Sequence, residues 1–120
     1  MVNSGSSANL VMVAALKKYF NWQDNDEILV SVVGFPTTLN PIIQNNLKPV
    51  FVDIEFDTLN FDLNQLESKI TKNTKAIMPV HLYGRMCDMD EILNLAEKHG
   101  LVVIEDAAQA FSSKHGEKYA

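Results

Sequence analysis

A single cysteine, Cys87, stands among 120 residues. One thiol makes no internal disulfide and no cysteine-based metal spacing, and the reducing cytoplasm is the compartment that fits. Basic residues are few and scattered: ten Lys and Arg against fifteen Asp and Glu leave a formal charge of -5. Such a chain has no positive field for a phosphate backbone or an anionic bilayer, which argues against nucleic acid and membrane as partners. No apolar run approaches the roughly 20 residues that span a bilayer, and Met1-Val2-Asn3-Ser4-Gly5 lacks the basic start and apolar core of a signal peptide. Neither Gly-x-Gly-x-x-Gly nor a Walker lysine pattern occurs, which disfavours a dinucleotide fold and a P-loop. Repeats and low-complexity linkers are missing too.

What is present is a chain with 47% hydrophobic residues, enough for one globular domain or a piece of a larger one. It begins two residues before a glycine-serine turn and stops at Lys118-Tyr119-Ala120 without a closing element, which reads as a fragment. Helix and strand patterns alternate with short connections, the signature of an α/β fold: three layers, a mainly parallel sheet with helices on both faces. Residues 6 to 20 are apolar nearly all round up to Lys17, which predicts a largely buried first helix. Residues 28 to 33, 49 to 53, 75 to 80 and 101 to 106 read as strands. The continuous Leu101-Val102-Val103-Ile104 run suits a strand buried on both faces. Between them, Thr37 and Thr38 can cap a short helix with Pro41 in its first turn and Asn45-Asn46 at its end. Asp62 with Gln65 and Asp88 with Glu91 have capping-box spacing, and Gly100 sits where a left-handed C-cap belongs.

Ligands of a parallel sheet collect beyond the carboxyl ends of its strands, so Gly34-Phe35, His81 to Gly84 and Asp106 to Gln109 should share one rim. Asn3 to Ala8 places Gly5, Ser6 and further hydroxyls at a helix start, where free N–H groups and the dipole suit a phosphate or where a serine simply caps the helix. Asp106, ending an apolar strand, reads either as a ligand for something cationic or as a cap. If a pyridoxal 5'-phosphate (PLP) ring lies on this rim, only a carboxylate can pair well with its pyridine nitrogen. Glu105 points the opposite way and reads as a structural partner. Phe35 is either a ring that stacks on a ligand or simple core. His81, at the rim, is a candidate substrate-contacting or acid–base group, whereas His99 suits the C-terminal end of its helix. The methionines read as core filler, and no metal site is expected.

In order, NSGSSAN at 3 to 9, GFPTTLNPIIQN at 34 to 45, KPVFVDIEFDTLNFD at 48 to 62, TKAIMPVHLYGRMCDMDEI at 74 to 92 and HGLVVIEDAAQAFSSKHGEKYA at 99 to 120 resemble the PLP-dependent nucleotide-sugar aminotransferases of the DegT/StrS type. The resemblance covers essentially the whole chain. It implies part of the large domain of a type I aminotransferase, a homodimer with shared active sites, a nucleotide-linked keto sugar as substrate, and glutamate as the usual amino donor. By the same resemblance Gly5 and Ser6 form the phosphate-binding turn, Phe35 takes the place of the stacking ring, Asp106 that of the pyridine-nitrogen partner, and Gln109 that of the contact to the PLP phenolic oxygen. The family's Schiff-base lysine matches no residue here, so the chain contains no catalytic residue, and by itself it should not transaminate.

NSGSSANLV and GFPTTLNPIIQN are especially similar to the sugar 3-dehydratases of the same superfamily, in which histidine replaces the lysine. EDAAQA and VHLYG favour the aminotransferases, and amination is the first expectation. Two other readings compete: a non-enzymatic nucleotide- or sugar-binding α/β module, and an inactive fragment. Cell-envelope polysaccharide or aminosugar biosynthesis would be the usual setting of the family.

Overall fold

The computed structural model describes residues 1–120. Four parallel strands form one sheet in the order β2-β1-β3-β4, built from β1 (Glu27–Ser31), β2 (Lys48–Val52), β3 (Thr74–Met78) and β4 (Val102–Val103). Helices α1 (Gly5–Tyr19), α2 (Pro36–Gln44), α3 (Leu63–Leu66) and α4 (Met89–His99) connect them, and a short antiparallel hairpin, β5 (Lys114–His115) and β6 (Lys118–Tyr119), ends the chain. No helix is long and apolar enough to cross a membrane.

The alternation of strand side chains produces the layers. Ile28 and Val30 of β1, with Ala76 and Met78 of β3, turn to the face where Val13 of α1 and Ile42 of α2 pack. Leu29 and Ile77, between them in sequence, turn to the other face and meet Leu66 of α3 and Ile92 and Ala96 of α4. Two buried clusters with the sheet between them give the expected three-layer α/β architecture. Asp88 caps α4 by accepting the Glu91 N–H at 3.2 Å, and Gly100 closes it with φ +65°, a conformation glycine adopts without penalty.

Three local expectations are corrected. α1 is not largely buried: only Asn9 and Val13 are, while Leu10 and Val11 are exposed, because a helix on a sheet covers one stripe whatever its other faces carry. α2 starts at Pro36 after Phe35, without a side-chain cap, so Thr37 and Thr38 lie inside it and Pro41 falls in its interior. β4 pairs over two residues and its Val102 and Val103 are only half-buried, since β4 is an edge of this sheet with one neighbour. Pairing continues beyond it as a single parallel bridge between Val80 and Asp106.

At the opposite rim, Glu27 opens β1 with its side chain enclosed, accepting hydrogen bonds from Thr71 Oγ1 at 2.6 Å and Lys48 Nζ at 2.9 Å. The Thr71 hydrogen bond first, then the Lys48 contact, hold its carboxyl below the usual value of 4.5. In the unfolded chain Glu27 takes up its proton at the higher pH, so its contribution to stability is complete above about pH 4.5 and is lost as pH falls through the lower folded value. Glu27→Gln should cost about 1–3 kcal/mol at pH 7 and flatten the acid side of the stability profile, measured by urea denaturation from pH 3 to 7. An unchanged acid limb would show that this carboxylate carries no such linkage.

Candidate functional site

One cleft of about 240 Å³ at the carboxyl rim of the sheet is lined by Gly5, Ser6, Phe35, Asp106 and Gln109, together with Asn9, Thr37, Val80 and Ala108. The five residues picked out as cofactor contacts therefore meet in one place, drawn from α1, the β1–α2 turn and the loop after β4.

Each is delivered by local structure. Ser4 caps α1: its Oγ accepts the Ser7 N–H at 3.2 Å and its carbonyl accepts the Ala8 N–H at 3.0 Å. The N–H groups of Gly5 and Ser6 have no partner within the chain, which leaves two donors and the positive end of a 15-residue helix at the cleft. A Cβ on Gly5 would meet Ala108 Cβ at an ordinary 3.5 Å, so space against the neighbouring loop does not by itself require glycine here. Phe35 is 60% exposed at the entrance to α2, a ring presented at the surface rather than a core residue. Beside it a smaller apolar cavity of about 180 Å³ shares the walls made by Phe35 and Val80.

Asp106 is 7% exposed, and three donors converge on its carboxylate: Asn9 Nδ2 at 2.8 Å and Thr38 Oγ1 at 2.6 Å on Oδ2, and the Ala108 N–H at 3.2 Å on Oδ1. Its backbone is tied to the end of β3, where its N–H donates to Pro79 O and its carbonyl accepts the His81 N–H. Gln109 is exposed, and its Oε1 accepts the Tyr83 N–H at 2.9 Å. A backbone N–H can only donate, so this bond fixes the amide oxygen inward and leaves the NH2 of Gln109 free to donate. Tyr83 and Gly84 both have positive φ, +54° and +80°, and this tight turn is what presents the Tyr83 N–H.

His81 is the exception. Its side chain is fully buried and does not line the cleft: Nδ1 accepts the Cys87 N–H at 3.2 Å, and Nε2 faces Glu105 Oε2 at 3.0 Å. With Nδ1 occupied as an acceptor, the ring proton sits on Nε2 and is donated to Glu105. Cys87 packs with Ile92 and Ala96 of α4, so on that face the His81 ring clasps the ends of β3 and β4 and is turned away from the cleft. His99 bonds Glu67 Oε1 at 2.9 Å beside Lys98, far from the cleft.

Sequence reasoning missed Asn9 and Thr38. A lone amide four residues after Gly5 in an otherwise apolar helix was the available sign for Asn9; Thr38 was absorbed into a capping role it does not have.

An α/β sheet that gathers a helix N-terminus, an exposed ring and a buried carboxylate around one rim cleft has the layout of a cofactor-binding enzyme domain. The chain belongs to the DegT/DnrJ/EryC1/StrS aminotransferase family, whose profile matches residues 1–120. It is 40% identical over 119 residues to dTDP-4-dehydro-2,6-dideoxy-D-glucose 3-dehydratase of Saccharopolyspora spinosa, covering 96% of this chain and 26% of that protein. It is 44% identical over 96 residues to GDP-perosamine synthase of Escherichia coli O157:H7, covering 80% of this chain and 26% of that one. The structure of the E. coli GDP-4-keto-6-deoxy-D-mannose-3-dehydratase with bound hydrated PLP superposes with a TM-score of 0.92 at 38% identity, covering 99% of this chain and 31% of that one. The chain thus spans about a quarter of the length of the curated relatives it matches.

Cys87 lies just behind the clasp, with Sγ 3.3 Å from Val80 O. Burial, with a smaller contribution from the Glu105 charge, pushes its thiol up to about 12. Relative to the usual 9.0, that lowers the thiolate fraction about a thousandfold at neutral pH. Ellman's reagent should therefore leave the native protein's Cys87 unmodified over minutes at pH 8 and titrate it only in denaturant; prompt reaction in the native state would contradict this burial.

Proposed function

We propose that this chain is the cofactor-cradling part of the large domain of a PLP-dependent enzyme that aminates a nucleotide-linked keto sugar, taking the amino group from glutamate. The observation that carries the reading is the convergence of Gly5, Ser6, Phe35, Asp106 and Gln109 on one cleft. The donor set fits PLP group by group. The free N–H groups of Gly5 and Ser6 would hold the phosphate, Phe35 would cover a face of the ring, and the free NH2 of Gln109 would reach the phenolic oxygen. The Asp106 carboxylate has about four acceptor directions and three protein donors, which leaves one for a ring N–H. Bound there, PLP would supply the electron sink for the carbon that carries the amino group. Asp106 holds a proton at the ring nitrogen, the α1 terminus neutralises phosphate charge, and Phe35 limits access of water to one ring face.

The lysine that anchors the cofactor in this family has no counterpart among the 120 residues, so the chain alone is expected to be inactive, and the working form is a cytoplasmic homodimer of the full-length protein. A second reading, a PLP-dependent sugar 3-dehydratase, is favoured by the reach of the S. spinosa match over 119 residues against 96 for the perosamine synthase. Glutamate-dependent amination of a keto sugar by full-length protein, with lysine at the anchoring position, supports the first reading. Histidine there, with loss of the sugar 3-hydroxyl, replaces it with the second.

In the full-length protein Asp106→Asn keeps the size of the side chain but removes the charge. It should weaken PLP binding roughly 10- to 100-fold, followed by cofactor fluorescence during dialysis. Retention of PLP at wild-type affinity would remove Asp106 from the cradle.

A further inference from the structure

We propose that Asn9 and Thr38 are positioning residues: acting through Asp106, they decide which carboxylate oxygen meets the ring nitrogen of the cofactor and keep the proton on that nitrogen. The inference rests on the reading of Asp106 as the ring-nitrogen partner.

Asn9 is 5% exposed and Thr38 4%, so both carry polar groups out of water, at a cost of about 1–3 kcal/mol each if left unpaired. Both are fully engaged as donors. The Asn9 amide nitrogen reaches Asp106 Oδ2 at 2.8 Å and the Thr37 carbonyl at 3.4 Å. Both of those neighbours only accept, so the orientation of the amide is settled by chemistry. The Thr37 carbonyl is available because the residue four positions on is Pro41, which has no N–H to give it. The interior proline of α2 thus supplies the second anchor that aims Asn9. Thr38, on the same helix, donates from Oγ1 to Oδ2 at 2.6 Å.

Two donors on Oδ2 and the single Ala108 N–H on Oδ1 leave the vacant acceptor direction on Oδ1. A carboxyl torsion is otherwise broad and two-fold, so either oxygen would serve; here α1 and α2 together break the tie. The same donors act on proton position. A ring N–H is retained while an acceptor is held in line with it, and Oδ1 is held there because Oδ2 is tied to α1 and α2. Loss of a donor would free the carboxylate to turn off that line, and the ring nitrogen would keep its proton less well.

The test uses full-length holoenzyme reconstituted with PLP labelled with ¹⁵N in the ring. The ring ¹⁵N chemical shift and the PLP dissociation constant are read for Asn9→Ala, Thr38→Val, Thr38→Ser and Asp106→Asn. Thr38→Val and Asn9→Ala should each move the ring signal from the pyridinium toward the pyridine position and weaken PLP roughly tenfold. Thr38→Ser, which keeps the hydroxyl, should match the wild type on both readouts, a rescue that a purely space-filling threonine would not show. The two donor deletions sit on different helices, so either one alone carries the test if the other does not fold. Folded Asn9→Ala and Thr38→Val proteins with wild-type ring shift and affinity, alongside an altered Asp106→Asn, would overturn the positioning role only. An Asp106→Asn protein that also changes neither readout would overturn the reading of Asp106 and this inference with it.

Discussion

A carboxylate taken out of water has to be met by donors, and at Asp106 that requirement organises the rim of the sheet. Its three donors come from α1, from α2 and from its own loop, while its backbone is bonded to the end of β3. None of these elements is adjacent to another in the chain, yet all must be in place for the charge to be accommodated. The cleft follows from that constraint. Holding α1 against the loop after β4 brings the helix N-terminus beside Ala108 and Gln109, and holding α2 there brings Phe35 to the entrance. The clasp of His81 on Glu105 and on the Cys87 N–H secures the same strand ends from the opposite face. The rim is thus fixed from both sides of the sheet.

The layers were readable because strand alternation and helix periodicity are local properties. Ile28 and Val30 against Leu29 in β1 already divide the two cores, and Asp88 with Gly100 marks both ends of α4. The rim grouping was readable too, since parallel topology sends every strand's carboxyl end the same way. Other features depend on distant neighbours and left no local mark. Whether α1 is covered on one side or all round is decided by what packs on it, and its composition is equally apolar in either case. Val102 and Val103 look like central-strand residues and sit at an edge. His81 is at the rim in the backbone sense, but its ring turns inward toward Cys87, a choice of direction that a strand-end position does not specify. Asn9 and Thr38 escaped notice because each has a routine reading on its own, and only the shared oxygen of Asp106, 97 and 68 residues away in sequence, gives them a role.

Relatives with different chemistries match this segment: a sugar 3-dehydratase and a perosamine synthase are both similar to it across most of its length. That fits a division of labour in which one part of a fold holds a cofactor and side chains elsewhere select the reaction. On the proposed reading, the arrangement around Asp106 and Gln109 answers a flat ring with an anionic tail, a demand that is the same whichever bond is later broken.

The first two turns of α1 carry Gly5 and Ser6 at one end and Asn9 at the other. Four residues of helix rise about 6 Å, so these turns work as a fixed spacer between the helix terminus and the Asp106 carboxylate. Insertion or deletion of one residue here would rotate Asn9 by about 100° away from its partner while leaving a helix in place. In the connection from Phe20 to Asp26 the same change in length would be taken up by turns. Length variation among descendants of this sequence should therefore be tolerated after α1 and purged within its opening turns, a pattern set by helical pitch rather than by the identity of any side chain.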